Sequence, residues 1–317
     1  LSLTPGHRGQ VAVIDIGTNT VRLLVAEDTP GGRVVLDEFG DVTCLGGSLI
    51  RTGRIEPNDL LRTEACLIEA MQRARDTGVR VLDIVGTEVF RRATNGAEAA
   101  DALSSRIGHP IRVLSGEEEA DASYLGAVAW SLPPAGGAIA VLDVGGGSTE
   151  LIRGEGLSRQ ASCSLPIGAL LVTDRWFDAD PPGSMAVHSA STILAAELAP
   201  LAPDKSGLVG NERLMAVGGS ACAAAAWVHD IQPFEAGRVH GLRVSRKNLL
   251  AAVGELAGLT VQQRMDRGGL GRGRARLLPG GAALLGSALQ VMNRTEFETS
   301  VFGLRHGRAL LAWGETL

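Results

Sequence analysis

Hydrophobic and polar positions along the chain switch repeatedly between two periods. Residues 12–14 form a β-branched apolar run that ends in Asp15, turns through residues 17–20 and resumes as a second apolar run at 21–26, so a β-hairpin is predicted. Over residues 58–75 the period changes, with Leu60, Leu61, Ala65, Leu67, Ile68 and Met71 at helical spacing. A strand at 79–85, a helix at 97–107, a strand at 111–114 and a helix from 116 to 129 continue the series. Beyond residue 137 strands are predicted near 140–144, 151–152 and 214–217, and helices at 185–198, 248–256, 280–292 and 307–313. Strand and helix in alternation predict an α/β fold.

The opening hairpin has a second copy. Ala12-Val13-Ile14-Asp15-Ile16-Gly17-Thr18-Asn19-Thr20 recurs as Ala140-Val141-Leu142-Asp143-Val144-Gly145-Gly146-Gly147-Ser148, with Asp15 and Asp143 separated by 128 positions. That spacing is about one domain, which predicts two similarly built domains facing each other across a cleft. The densest turn signal of the first half, at 131–137, divides a first domain at 9–132 from a second at 137–303. The last helix, about 304–317, is expected to pack back on the first.

Composition narrows the class. The 317 residues are 45% hydrophobic and 21% charged with no long low-complexity tract, which is a globular chain large enough to fold without disulfides or a structural metal. A net charge of -5 gives no footprint for nucleic acid and leaves polyanion binding to local features. No apolar run approaches the ~18 residues of a membrane span, and residues 1–10 hold no apolar core of a secretion signal, so a cytoplasmic protein is expected. Leu1 in place of Met is expected to mark a trimmed start. The four cysteines, Cys44, Cys66, Cys163 and Cys222, have no Cys-x-x-Cys pair and no His at ligand spacing, and are expected to be buried small hydrophobes.

The two Gly-containing turns carry the strongest chemistry. Gly17, Thr18, Asn19 and Thr20, and Gly145, Gly146, Gly147, Ser148 and Thr149, present backbone N–H groups and hydroxyls that suit phosphate oxygens, although the same residues also favour plain hairpin turns. Asp15 and Asp143 repel phosphate, so a divalent cation, Mg2+ by its preference for oxygen ligands, is implied between them. No P-loop or dinucleotide-binding glycine pattern is present. Ser115-Gly116-Glu117-Glu118-Glu119 reads either as a capping box with Glu118 or as a source of a catalytic carboxylate at a strand end. Arg91 and Arg92 follow another strand end, as a surface pair or as phosphate forks. Gly218, Gly219 and Ser220 form a third strand-to-helix turn, an anion cradle or ordinary packing. The arginines at 264, 267, 272, 274 and 276 read as a flexible loop or as a contact for an anionic chain, and His240 with the other five histidines as structural or solvent-facing.

Taken in order, Val13 to Thr20, Thr87 with Arg91, Ser115 to Ala120, Leu142 to Glu150, Ser164-Leu165-Pro166-Ile167-Gly168, Val239-His240-Gly241 and Leu278-Pro279-Gly280 resemble the exopolyphosphatase and guanosine pentaphosphate phosphohydrolase (Ppx/GppA) family in its short two-domain form. The resemblance implies an α/β fold of duplicated actin-like domains, of the sugar kinase, Hsp70 and actin superfamily and ribonuclease H-like, flanking an interdomain cleft. It implies Glu119 as general base, Asp143 and Glu150 (with Asp15 by the argument above) as metal-associated carboxylates, and Arg91 as a phosphate contact. The turns at 17–20 and 145–149, and less firmly 218–220, would bind phosphate. The expected activity is Mg2+-dependent release of orthophosphate from inorganic polyphosphate, other divalent cations being acceptable. Guanosine pentaphosphate 5'-phosphohydrolysis, a kinase of the same fold, or a sensor of polyphosphate or guanosine tetraphosphate are the alternatives. No nucleic acid or membrane partner is expected, and a homodimer is.

Three positions depart from the family pattern. The sequence reaches residue 317, past which the resemblance implies that many relatives continue into helical C-terminal domains; Gly218-Gly219-Ser220-Ala221 stands in place of a Gly-Thr-Ser type turn, and Arg274-Ala275-Arg276 in place of Arg-Ala-Asp.

Overall fold

The structure, a computed structural model, describes residues 9–130 and 137–315, so the turn expected at 131–137 lies almost wholly outside the described residues. The chain divides into two compact units, Leu1–Pro134 with Phe302–Leu317, and Ala135–Val301.

Unit 1 comprises β1 (Gln10–Ile16), β2 (Thr20–Thr29), β3 (Gly32–Val42), α1 (Leu49–Thr52), α2 (Pro57–Asp76), β4 (Val81–Gly86), α3 (Glu88–Arg92), α4 (Gly96–Ile107), β5 (Arg112–Val113) and α5 (Gly116–Ala129). Its sheet has the order β3-β2-β1-β4-β5, antiparallel across the first three strands and parallel from β1 through β4 to β5. Unit 2 comprises β6 (Ala138–Val144), β7 (Thr149–Glu155), β8 (Ser158–Leu165), α6 (Ala169–Trp176), α7 (Ser184–Glu197), α8 (Pro203–Ser206), β9 (Arg213–Val217), α9 (Gly218–Val228), α10 (Ala236–Val239), β10 (Arg243–Ser245), α11 (Arg246–Ala257), α12 (Val261–Gly268), α13 (Arg272–Val291) and β11 (Glu296–Thr299). Its sheet order is β10-β11-β9-β6-β7-β8, with β6, β9 and β11 parallel.

The internal repeat is therefore a structural one. In both units an antiparallel three-strand meander leads into parallel crossover strands. The tight turns match, Gly17 N–H donating to Thr20 C=O at 2.9 Å and Gly145 N–H to Ser148 C=O at 3.0 Å. Even the irregularities match: the register slips at Val25/Ala26 in one meander and at Arg153/Gly154 in the other, the same 128-residue offset as between the two aspartates. Neither third strand was expected from the sequence. Both β3 and β8 are edge strands; the apolar run of β3, Val34-Val35-Leu36, is solvent-exposed, and β8 is half-buried and rich in polar residues.

Each unit has its own core. Ile14, Ile16, Leu23, Leu67, Ile84 and Leu103 are buried in unit 1, and Leu142, Leu151, Ala216, Leu249, Leu284 and Phe297 in unit 2. Of the cysteines only Cys66 is buried, and burial pushes its thiol up to about 12; the other three are half-buried, which corrects the expectation of four core cysteines.

The helix α13 starts well before the predicted residue 280 because Pro279 sits inside it. A proline has no N–H for the carbonyl four residues back, here that of Ala275. Arg264, only 1% exposed, fills the gap: its Nη1 donates to Ala275 O at 2.8 Å, and its Nε and Nη2 donate to Leu259 O.

Unit 1 is completed by α14 (Leu304–Ala312), which lies along α5 at backbone contact distance. A Cβ on Gly126 would stand 2.8 Å from the Gly303 carbonyl carbon, and one on Gly307 2.6 Å from that of Ala122. Glycine is required at both places by the lack of room. Arg308 pairs with Asp83 of β4 at 2.7 Å, and Trp313 Nε1 donates to Gly9 O at 2.8 Å. These contacts fix the helix that carries Glu119.

Candidate functional site

In unit 1 the parallel strands β1, β4 and β5 end on the same sheet edge, where α/β folds gather ligand groups. Thr87 N–H and Oγ1 both donate to Ile16 O at 3.2 Å, and Leu114 N–H donates to Gly86 O at 2.9 Å, so the three chain exits are tied together. The hairpin turn is gripped from behind by residues 43–46. Thr43 and Cys44 N–H groups donate to Asn19 O at 3.0 Å, and Gly46 N–H donates to Thr18 O at 2.8 Å.

At the third exit Ser115 caps α5. Its hydroxyl accepts from Glu118 N–H at 3.2 Å while Glu118 Oε2 accepts from Ser115 N–H at 2.8 Å. That backbone bond, with Arg112 beside it, holds the Glu118 carboxyl below the usual carboxylate range. The capping reading is thus correct for Glu118. Glu119 has a different fate: Arg91 Nη2 lies 2.8 Å from its Oε2, the two side chains 28% and 15% exposed, and Arg91 Nη1 donates to Leu114 O at 2.6 Å. Arg91, from α3, thereby pairs with Glu119 at the strand edge.

Unit 2 repeats the edge with other chemistry. Asp143 is paired in register with Glu150 across β6 and β7, which puts two carboxylates on one face. Ser164 Oγ donates to Glu150 Oε1 at 2.8 Å, and Thr149 Oγ1 donates to Ile167 O at 2.6 Å. Gly218, at φ +88°, opens α9 so close to Asp143 that a Cβ would lie 2.9 Å from its Oδ1. The turn 145–147 rests on Gly168, where a Cβ would come within 2.5 Å of Gly147 N. Ala169 and Leu170 N–H groups donate to Gly145 and Gly146 carbonyls.

The counterpart of Glu150 in unit 1 is Arg22, which faces Asp15 in register. Arg305, whose guanidinium burial pushes below its ordinary pKa, is also within electrostatic reach of Asp15 and of Arg22. Asp15 therefore has cationic side chains around it, whereas Asp143 has a second carboxylate.

Residues 24–312 match the Ppx/GppA phosphatase family. The chain belongs to that family. As a Ppx/GppA protein it is 31% identical over 287 residues to Exopolyphosphatase 2 of Mycobacterium tuberculosis, covering 87% of this chain and 88% of that one. It is 35% identical over 166 residues to the guanosine-5'-triphosphate,3'-diphosphate pyrophosphatase of Vibrio cholerae, covering 52% of this chain and 33% of the relative. The crystal structure of the Aquifex aeolicus Ppx/GppA family member is similar, with a TM-score of 0.78 and 28% identity, over 97% of this chain and 99% of that one. The duplicated actin-like α/β architecture of the family is thus the fold of this chain.

Against the expectations for a Ppx/GppA site, unit 1 gathers Gly17, Thr18, Asn19, Thr20, Arg91 and Glu119 on one edge, and unit 2 gathers Asp143, Glu150, the 145–149 turn and the 218–220 turn. Among the described residues no group of three or more His, Cys, Asp or Glu is placed to hold a metal ion. The basic stretch is corrected by the structure. It is helical, not a loop, and Arg264 is buried, Arg267 pairs with Glu255, and Arg276 pairs with Asp174 at 2.7 Å and Asp178 at 3.1 Å. Sequence reasoning assigned no role to Glu88 or Ser164 and missed the 43–46 strap. The double glycine Gly46-Gly47 was the available signal for the strap, since Gly46 has no room for a side chain against Thr18. No helix among the described residues is long and apolar enough to cross a membrane.

Proposed function

We propose that the protein is a phosphoanhydride hydrolase of the exopolyphosphatase type, releasing orthophosphate from the ends of inorganic polyphosphate. The observation that carries this reading is Glu119, paired with Arg91 on the edge that also bears the 17–20 turn. Water attacks the terminal phosphorus, Glu119 takes the proton, and the bond to the bridging oxygen breaks, leaving a chain shorter by one phosphate. Arg91 exchanges part of its hold on Glu119 for the phosphate oxygens as charge develops there. In unit 1 the turn at 17–20 offers donors to phosphate oxygens, and in unit 2 the turns at 145–149 and 218–220 do so.

Asp143 and Glu150 form an oxygen donor set that fits Mg2+, an ion commonly held by one or two carboxylates together with substrate phosphates and water. Bound there, the cation would supply charge neutralisation for the anhydride oxygens. Ser164 orients Glu150 for it. Asp15, in register with Arg22 and within electrostatic reach of Arg305, fits a cation less well. A cytoplasmic location and a homodimer accompany this reading as proposals from the family resemblance.

Polyphosphate is favoured over guanosine pentaphosphate because the M. tuberculosis relative is matched along 88% of its length and the V. cholerae one along 33%. The second reading keeps its place through the 35% identity of that shorter match. Phosphate release from short polyphosphate, long polyphosphate and guanosine pentaphosphate, with Mg2+ and with chelator, tests both. Glu119→Gln is expected to retain binding and lose turnover by about 10²–10⁴-fold. Equal turnover in the variant removes Glu119 from the reaction, and binding without release from any substrate makes the protein a sensor.

A further inference from the structure

Thr18 has a single hydroxyl proton, and in this structure it goes to a carboxylate: Oγ1 donates to Glu88 Oε2 at 3.2 Å. The threonine cannot easily turn away. Its methyl group fills the space where a Gly46 side chain would be, and its carbonyl accepts the Gly46 N–H at 2.8 Å. Glu88 begins α3 with its side chain 13% exposed, and its other oxygen faces Arg92 Nη1 at 3.4 Å. A fully ionised phosphate oxygen carries no proton and needs a donor, whereas Thr18 held in this way can only accept. Glu88 also places a negative charge at a turn that is to receive a polyanion. What suits the pair is a donor, such as a water in the shell of a divalent cation.

We infer that Glu88 is a specificity-determining residue: it withholds the Thr18 proton from metal-free polyphosphate, so that the turn at 17–20 takes the substrate as its divalent-cation complex. This rests on the reading of that turn as phosphate-binding. Glu88 is not a group of the chemical step, and its effect falls on which form of the substrate binds.

Calorimetric binding of inorganic tripolyphosphate to the full chain, in chelator and in Mg2+, tests the inference with Glu88→Ala, Thr18→Val and the double variant. Glu88→Ala is expected to tighten metal-free binding about tenfold, the scale of one well-placed hydrogen bond, and to change binding in Mg2+ much less. Thr18→Val is expected to cost the Glu88→Ala protein about fivefold more than it costs the parent, because only there is the hydroxyl proton available to phosphate. Glu88→Ala releases the charge of Arg92 whether residue 18 is Thr or Val, so that charge cancels from each cost of Thr18→Val. Glu88→Gln, which keeps the shape and the acceptor, is expected to tighten metal-free binding by only about twofold and serves if Glu88→Ala does not fold. Metal-free binding that is unchanged or weaker in both Glu88 variants, or an equal cost of Thr18→Val in the two backgrounds, overturns the inference. Absence of tripolyphosphate binding by every protein in both conditions instead overturns the phosphate reading of the turn.

Discussion

Replacing Gly307 by alanine tests how Glu119 is held in place. In an unencumbered helix the change would stabilise by about 1 kcal/mol, the difference in propensity between the two residues. Here the new Cβ would lie 2.6 Å from the Ala122 carbonyl carbon and closer still to its oxygen, against an ordinary contact of at least 3.4 Å. The obstructing atoms are backbone, so no rotamer change relieves them, and α14 must part from α5 by roughly 1 Å, enough to forfeit up to half of the dispersion attraction along the contact. Overpacking of this kind costs about 1–3 kcal/mol and at times more, which outweighs the propensity gain. A net loss of about 1 kcal/mol corresponds to a fall of roughly 2–4 °C in Tm for a unit of this size. Because α5 carries Glu119, a displacement of roughly 1 Å is also expected to lower kcat by about tenfold or more. Differential scanning calorimetry and phosphate release measure the two effects. A Tm equal to or above that of the parent would refute the close-packing argument, whatever happened to activity.

Two further outcomes are expected. Arg264→Met leaves the buried Ala275 carbonyl without its donor and should destabilise by about 1–3 kcal/mol, while Pro279→Ala returns an N–H to that carbonyl; urea midpoints for the single and double variants should show the arginine costing less once the proline is gone, and strict additivity would contradict the account. His240 has its folded pKa lowered by burial, with Arg213 acting in the same direction and Glu298 against it. The unfolded chain therefore binds the proton more readily, so this contribution to stability is present above the ordinary value of 6.5 and is lost as pH falls below it. Urea midpoints at pH 7.5 and 5.5 should diverge more for the parent than for His240→Asn, and an identical divergence would remove His240 as a cause.

The hairpins were legible in the sequence because buried strands declare themselves as apolar runs and the repeat supplied a second, independent copy. Ser115 and Glu118 were legible because a capping box is local, contained within four residues. What stayed hidden has one physical origin, contact between residues remote in the chain. Thr18 and Glu88 are 70 positions apart and Arg308 and Asp83 are 225 apart, so no periodicity encodes either pairing. The arginines from 264 to 276 misled for a related reason. Charge density along a sequence suggests one exposed basic surface, but Arg264 is buried beside a helical proline and Arg276 pairs with distant aspartates, which leaves Arg267, Arg272 and Arg274 exposed. Of the edge strands, β8 was hidden because it is polar, whereas β3 offered only the short run Val34-Val35-Leu36, which the structure leaves exposed.

The placement of α14 has a consequence for how the molecule is made. A ribosome finishes all of unit 2 before it synthesises Gly303 and Gly307, so the nascent chain carries α5 with Ala122 and Gly126 uncovered throughout that interval. Unit 2, encoded without interruption, can complete its own core in the meantime. The first segment translated is thus among the last to be finished, and the helix bearing Glu119 gains its final support only when the closing helix docks. Partial translation products would accordingly carry the second unit intact and the base unsupported.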